Sequence, residues 1–459
     1  MEAFISYVIQ LHWLPFLGMI TFAIIAFLEY RSCLGIFSPS GLTSLYAFIK
    51  FSAECLVIVN FTSLISLASI YGVSEQQYIS QAILISFLVT SLSYIMLWKS
   101  SYSVRISYSL SIGCKFRKVL ESKHKKNTSR WLISRISFRY FVLFTFGLLL
   151  LLVIFQSAGG IATFLSNLAH RTEMLAGYGA VLKFSTLFIQ LSILYFFSIK
   201  YKTSHVSAYM ILLSGMLILF SLGGRTAPIF LLFTSLVYVH FYHKKFTITL
   251  RIFSLFSIIF IGSLFISLLR FENFESLLQM PLSELPFNLW FSTIGGYFTY
   301  IIRDSVIISY FSENEFWYGS GLWSFLYAFI PRALYPDKPV VDNGVYVIAM
   351  TTGQQVTPPM VPGSLPHYGW PEGYMSGYME AGWIGLFLGV ILSCYLVYFI
   401  FLRLVKSDFK IEWVFLYCFF IFRQPLYLTS IDLFNIIFHS IFVLGVGFLI
   451  RKKFVLKKN

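Results

Sequence analysis

Charge is what this sequence has least of. Asp, Glu, Lys and Arg make up 12% of its 459 residues, against about 25% in a soluble domain. Half the charged surface that holds a globular protein in water is therefore missing. In its place, apolar runs of roughly twenty residues recur along almost the whole chain, each long enough to cross a bilayer as a helix. Cysteine is scarce too. Cys33, Cys55, Cys114, Cys394 and Cys418 lie in or beside apolar runs or in a basic loop, so neither a disulfide framework nor a cysteine metal site is indicated. HExxH, DxD and Walker-type strings are absent, and the eight histidines are scattered, so no metal and no cofactor is expected. Without a nucleotide site, the energy for any reaction must arrive with the substrate. There is no internal repeat and no low-complexity tract, so inverted-repeat transporter architecture has no sequence support.

What the chain does have is basic residues in an order. The net charge is +15, but the cations form short clusters at alternate ends of the apolar runs, as the positive-inside rule requires, and do not make a nucleic-acid-binding face. The patterning predicts an all-α polytopic membrane protein of about eleven helices: 5–29, 47–71, 79–98, 137–157, 181–199, 205–222, 227–243, 249–269, 382–402, 411–430 and 434–450. The basic loop 99–139 fixes the cytoplasmic side, which puts the N-terminus outside and the C-terminus inside. The start, MEAFISYVIQLHW, lacks a basic region and a cleavage site, and reads as a retained first helix. Three parts follow: a transmembrane block over 1–269, a large periplasmic loop over 270–381, and a transmembrane block over 382–459.

Nine cations break the charge trend: Lys50, Arg171, Lys183, Arg225, Arg270, Arg303, Arg332, Lys338 and Arg423. Each sits on the outer side or within a helix, where charge is costly, and is a functional candidate for that reason. A snorkelling or salt-bridged cation is the plain alternative for any one of them. Arg225 follows the Gly223–Gly224 turn in SLGGRTAP. Arg332 lies in IPRALYPDKP, whose three prolines in nine residues exclude a regular helix. Arg423 is embedded in YCFFIFRQPLYL beside Pro425, which frees carbonyls that must also face something polar. Arg303 and Asp304 are neighbours, and a local salt bridge is an equal reading for that pair.

The loop 270–381 carries ten acidic and four basic residues together with Trp290, Trp317, Trp323 and Trp370, and Trp383 follows it. A loop of this length is usually functional. Aromatic rings among carboxylates and arginines suit a carbohydrate, with an interfacial aromatic belt as the alternative. The stretch FNLWFSTIGGYFTYIIRDSVIISYF is apolar enough to lie in the interface as an amphipathic or re-entrant helix. Candidates for proton transfer are His367, Glu372, Glu380 and Asp432. His367 has an imidazole suited to accept a proton near neutral pH. Glu380 opens the helix of EAGWIG, where a plain helix N-terminal carboxylate is the first reading and a proton-transfer role the second.

With its helix count, the Gly223–Arg225 turn, IPRALYPDKP, the exit sequence YMEAGWIGLFLGVIL and Arg423 in the penultimate helix, the chain resembles the Wzy-type O-antigen and oligosaccharide repeat-unit polymerases. The Arg303–Asp304 pair is similar to that of the enterobacterial common antigen polymerases. The resemblance covers most of the chain in layout and these short strings in detail. It implies a GT-C-like, metal-independent glycosyltransferase of the bacterial inner membrane with its active site facing the periplasm. Its substrates would be undecaprenyl-diphosphate-linked oligosaccharides in the bilayer, and its protein partners a chain-length regulator and a flippase. Arg225, Arg332 and Arg423, then Arg303 and Arg171, would hold the diphosphates; His367, with Glu380 in reserve, would be the base; Trp317, Trp323, Trp370 and Asp304 would hold sugars. The O-antigen ligases share this reaction type. A flippase or transporter of lipid-linked oligosaccharide is the other class in play, with a non-catalytic assembly partner behind it.

Overall fold

The computed structural model describes residues 13–32, 34–59, 73, 75–123, 130–167, 174–175, 178–201, 203–222, 224, 226–242, 300–330, 334–366, 369, 373–407, 409–423 and 429–451, with backbone alone at 56–57, 59, 103–123, 130–135, 165–166, 422–423 and 451. Of this, 82% is helix and none is strand. Twelve helices matter here: α1 Leu14–Arg31, α2 Pro39–Val59, α3 Gln76–Lys123, α4 Arg130–Ser157, α5 Gly179–Tyr201, α6 His205–Phe220, α7 Thr226–Tyr242, α8 Ile301–Glu313, α9 Asn343–Thr351, α10 Met375–Lys406, α11 Ile411–Arg423 and α12 Ser430–Arg451. Six of the described helices are long and apolar enough to cross a membrane, in α1, α3, α4, α5, α10 and α12; α6, α7 and α11 are shorter apolar helices. The chain is a multi-pass helical membrane protein. The expected helix 249–269 lies outside the described residues.

Helix boundaries differ from the sequence reading where polar residues lead a helix in or carry it onward. α2 begins at Pro39, eight residues before the expected 47. Ser38 accepts from the Gly41 amide at 3.0 Å, and Pro39 follows at the first helical position, which suits its fixed φ. Thr43 and Ser44 donate back to the Pro39 and Gly41 carbonyls, so a hydroxyl-rich turn is satisfied inside the protein. The expected basic loop 99–139 is helical over 99–123 and 130–139. Lys and Arg are good helix formers, and α3 runs on for 48 residues, roughly 72 Å, well past the ~30 Å of a bilayer core. α10 is two helices joined at Ala381 and Gly382. Gly382 has φ +60, a left-handed conformation that glycine adopts without strain.

The chain divides into two compact units, one of residues 1–108, 288–402 and 420–439, the other of 109–287, 403–419 and 440–459. In the first, α1 and α2 meet over Gly18, where a β-carbon would stand 2.7 Å from the Phe51 ring. Phe51 stacks on Phe22 at 5.7 Å and faces Phe87 of α3 at 5.9 Å. In the second, rings fill the interior: Tyr140 stacks on Tyr195 at 3.9 Å, Phe184 meets Phe442 edge-on at 4.8 Å, and Phe230 meets Phe415 at 5.1 Å.

The expected interfacial helix over residues 287–311 is described only from 300. There α8 is a core element, with every residue from Ile301 to Ile308 buried. The exposed apolar residues of this region come later, at Trp323, Leu326, Phe329 and Leu334.

Candidate functional site

In the first unit, α2 carries Lys50 and Glu54 one helical turn apart, on one face. Both are fully buried, and Lys50 Nζ lies 3.7 Å from Glu54 Oε1. From α3, Ser86 donates to the same Glu54 oxygen at 2.7 Å, and Thr90 lies 3.5 Å from Nζ. Tyr374, just before α10, adds its hydroxyl at 3.5 Å from Nζ and its ring face at 4.6 Å. An ammonium taken out of water is thus surrounded by a carboxylate, two hydroxyls and a π face, the set such a charge requires.

Tyr374 extends the chain of contacts. Its hydroxyl donates to Asp304 Oδ2 in a short hydrogen bond, while Arg303 donates to Oδ1 from Nε at 2.8 Å and from Nη2 at 2.5 Å. The guanidinium also lies 4.1 Å over the Tyr300 ring. Gly373, at φ +62, lets the backbone come up to this group: a β-carbon there would be 2.9 Å from both η nitrogens. Burial works against the Arg303 charge, but Asp304, Tyr374 and Tyr300 outweigh it and hold the guanidinium above its ordinary pKa. Two cations and two carboxylates therefore form one contiguous network, balanced in charge, that joins α2 and α3 to α8 and to the start of α10.

That balance revises two of the expected roles. Arg303 was a candidate for lipid diphosphate, yet its guanidinium is engaged with Asp304, and the pair carries no net positive charge to offer. Asp304 was a candidate sugar ligand, yet it is 0% exposed and both its oxygens are taken. The salt-bridge reading of the pair holds. Lys50, singled out as a cation against the trend, belongs to the same network. Its partners Glu54, Ser86 and Tyr374 were missed, although the Lys50–Glu54 spacing inside an apolar run was a signal that could have found the first.

Glu380 is buried at the end of the short arm of α10, before the kink, and does not open a helix. Its Oε2 accepts from the Gly319 amide at 2.8 Å, and the Trp317 and Tyr318 amides donate to the Met379 and Glu380 carbonyls. These bonds fasten residues 317–319 to α10. Oε1 of Glu380 has no hydrogen-bond partner of good geometry among the described residues, while the Gly321 and Leu322 amides also act on the carboxylate. Trp317, expected to stack on sugar, is 4% exposed; its indole donates to the Val356 carbonyl at 3.1 Å and its ring packs on Phe311 and Tyr346. It is a core residue, and Trp323 is the exposed one. Thr429 caps α12: its hydroxyl accepts from the Asp432 amide at 3.1 Å and donates to Asp432 Oδ2 at 2.7 Å, so the Asp432 carboxylate holds the cap in place at the helix start. Asp342, one of the loop acids, caps α9 by accepting from the Gly344 amide at 3.0 Å, and burial raises its pKa against the pull of that bond.

Arg171, Arg225, Arg332, His367, Trp370 and Glu372 lie outside the described residues, as does the Arg423 side chain. Among the described residues, no group of three His, Cys, Asp or Glu side chains is placed to hold a metal ion. No protein-family model, curated protein or solved structure matches the chain.

Proposed function

We propose that this protein is a glycosyltransferase of the bacterial inner membrane that polymerises undecaprenyl-diphosphate-linked oligosaccharide repeat units at the periplasmic face. On this reading the fold is GT-C-like with about eleven spans. The observation that carries the reading is the fastening of the segment after residue 300. The Lys50–Glu54–Tyr374–Asp304–Arg303 network ties it to α2 and α3, and the Glu380 bonds close it internally. A loop held this firmly is a platform on which substrates can be oriented, and orientation supplies much of the rate in such a transfer. The motif resemblance points the same way.

In the reaction, a hydroxyl of the acceptor sugar attacks the anomeric carbon of the donor. The new glycosidic bond forms as the bond from carbon to diphosphate breaks, undecaprenyl diphosphate leaves, and the hydroxyl proton passes to a base, His367 in this scheme. Negative charge grows on the departing diphosphate, and Arg225, Arg332 and Arg423 offset it with forked donors that match phosphate oxygens. Arg171 remains a further candidate, while Arg303 keeps a structural role. A chain-length regulator and a flippase would be its partners.

Purified protein reconstituted with lipid-linked repeat units should yield a ladder of polymers without added nucleotide or metal. Arg225→Ala and Arg423→Ala should each remove the ladder at unchanged protein level. In cells, lipid A–core capped by a single repeat should then remain. Loss of that single-repeat band as well would point to a ligase or flippase, and a normal ladder in both variants would sink the arginine scheme.

A further inference from the structure

The first unit holds a cavity of about 350 Å³ against one face of α8 that the proposed chemistry does not use. Ser309 and Tyr310 each lie three or four residues from both Val306 and Glu313, so the four share that face. The opposite wall comes from Met350 and Thr351 at the end of α9 and from Gly353 and Gln355 just after it. We infer that this cavity is a saccharide subsite, taking one or two neutral sugar rings of the repeat unit.

Three observations carry the assignment. The wall is fixed: the Tyr310 hydroxyl accepts from the Val356 amide at 2.8 Å and donates to the Val356 carbonyl at 3.3 Å, and Gln354 donates to the Ser364 carbonyl at 2.9 Å. A site whose wall is already held in place loses little entropy when it binds. The lining chemistry is that of a polyol site. Ser309 and Gln355 offer a hydroxyl and an amide, Thr351 and Asn314 offer acceptor oxygens while their donors bond the Ile348 and Tyr310 carbonyls, Glu313 offers a carboxylate, and Val306 and Met350 offer apolar surface for C–H faces. No Lys or Arg lines it among the described residues, so those residues offer no cation to a phosphate. The volume is at the small end of the ~300–1,000 Å³ typical of ligand sites, enough for part of an oligosaccharide and too little for all of it. Glu313 is exposed and makes no ion pair among the described residues, which leaves its oxygens able to accept from sugar hydroxyls.

The assignment rests on the glycosyltransferase reading for the nature of the ligand, and its test separates the two. Full-length protein in nanodiscs is presented with methyl glycosides of neutral hexoses and N-acetylhexosamines, and binding is read by saturation-transfer NMR. At least one glycoside should bind, and Glu313→Ala and Gln355→Ala should each weaken it about tenfold, the effect of losing one good hydrogen bond, with unchanged melting temperature. Glu315→Ala, nearby on the chain but outside the lining, should leave binding unchanged. No glycoside binding, equal binding in wild type and both variants, or displacement of the glycoside by inorganic pyrophosphate would each overturn the subsite. A polymer ladder without glycoside binding would leave the polymerase reading standing and remove the subsite. Glycoside binding sensitive to Glu313, with no ladder, would keep the subsite and sink the polymerase.

Discussion

The two units solve the same problem, filling the interior of a helical membrane protein, in different ways. In the first, Glu29, Lys50, Glu54, Arg303, Asp304, Glu380 and Asp432 are buried; in the second, Glu412 is the one Asp, Glu, Lys or Arg buried among the described residues. The second packs rings instead, as at Phe241 on Phe409 (5.0 Å) and Tyr140 on Tyr195. Ring packing fills volume but tolerates several arrangements, whereas a buried ion pair accepts one partner at one place. The difference follows from the segment after residue 300. It belongs to the first unit, it is rich in turns, and it needs a fixed register on α2 and α3. Charge provides that register at the cost of desolvation.

The comparison breaks most easily at Asp304. Asp304→Ala leaves the Arg303 guanidinium buried beside Tyr300 without its carboxylate, which should destabilise the first unit by about 3–5 kcal/mol. Thermal melting in detergent should show a large fall. The paired change Arg303→Met with Asp304→Leu removes both charges together and should recover most of the loss. If the single variant melts like wild type, the network does not hold the segment. Lys50→Met is the next test. It removes the ammonium that joins Glu54 to Tyr374, but Ser86 still donates to Glu54 at 2.7 Å. The expected loss is on the order of 2 kcal/mol, read by the same melt, and a loss as large as that of Asp304→Ala would move the centre of the network to α2.

Parts of this arrangement are legible in the amino-acid order alone. The apolar runs place α6 at 205 and α7 within a residue of its start, because both are uniformly apolar and bounded by polar turns. The start of α2 is hidden by Ser38, Ser40, Thr43 and Ser44, which look like a loop until their hydroxyls are seen bonding locally. The charge trend marks Lys50 and Arg303 as out of place, and that is correct information about burial. It cannot supply the contact of Tyr374 with Asp304, seventy residues apart, since no local pattern encodes which loop tyrosine reaches which helix. Trp317 and Trp323 are alike in sequence context, and only packing decides that one is core and the other exposed. Counting aromatics in a loop therefore yields candidates, not sugar platforms.

The smallest test lies in the second unit, at Gln190. Its amide donates to the Ala227 carbonyl at 3.0 Å, a neutral bond between α5 and α7, beside which Ser185 makes a similar bond from α5 to the Gly147 carbonyl of α4 at 2.9 Å. Ala227 is the second residue of α7, so its carbonyl can also accept from the amide one turn on. Gln190→Leu should accordingly cost no more than about 1 kcal/mol, a small shift in the melt, and leave α5 in place through Ile193 packed against Gly215, where a β-carbon would come within 2.8 Å. A loss here equal to that at Asp304 would mean that the second unit also depends on specific polar contacts. The contrast between a register set by charge and an interior filled by rings would then fail.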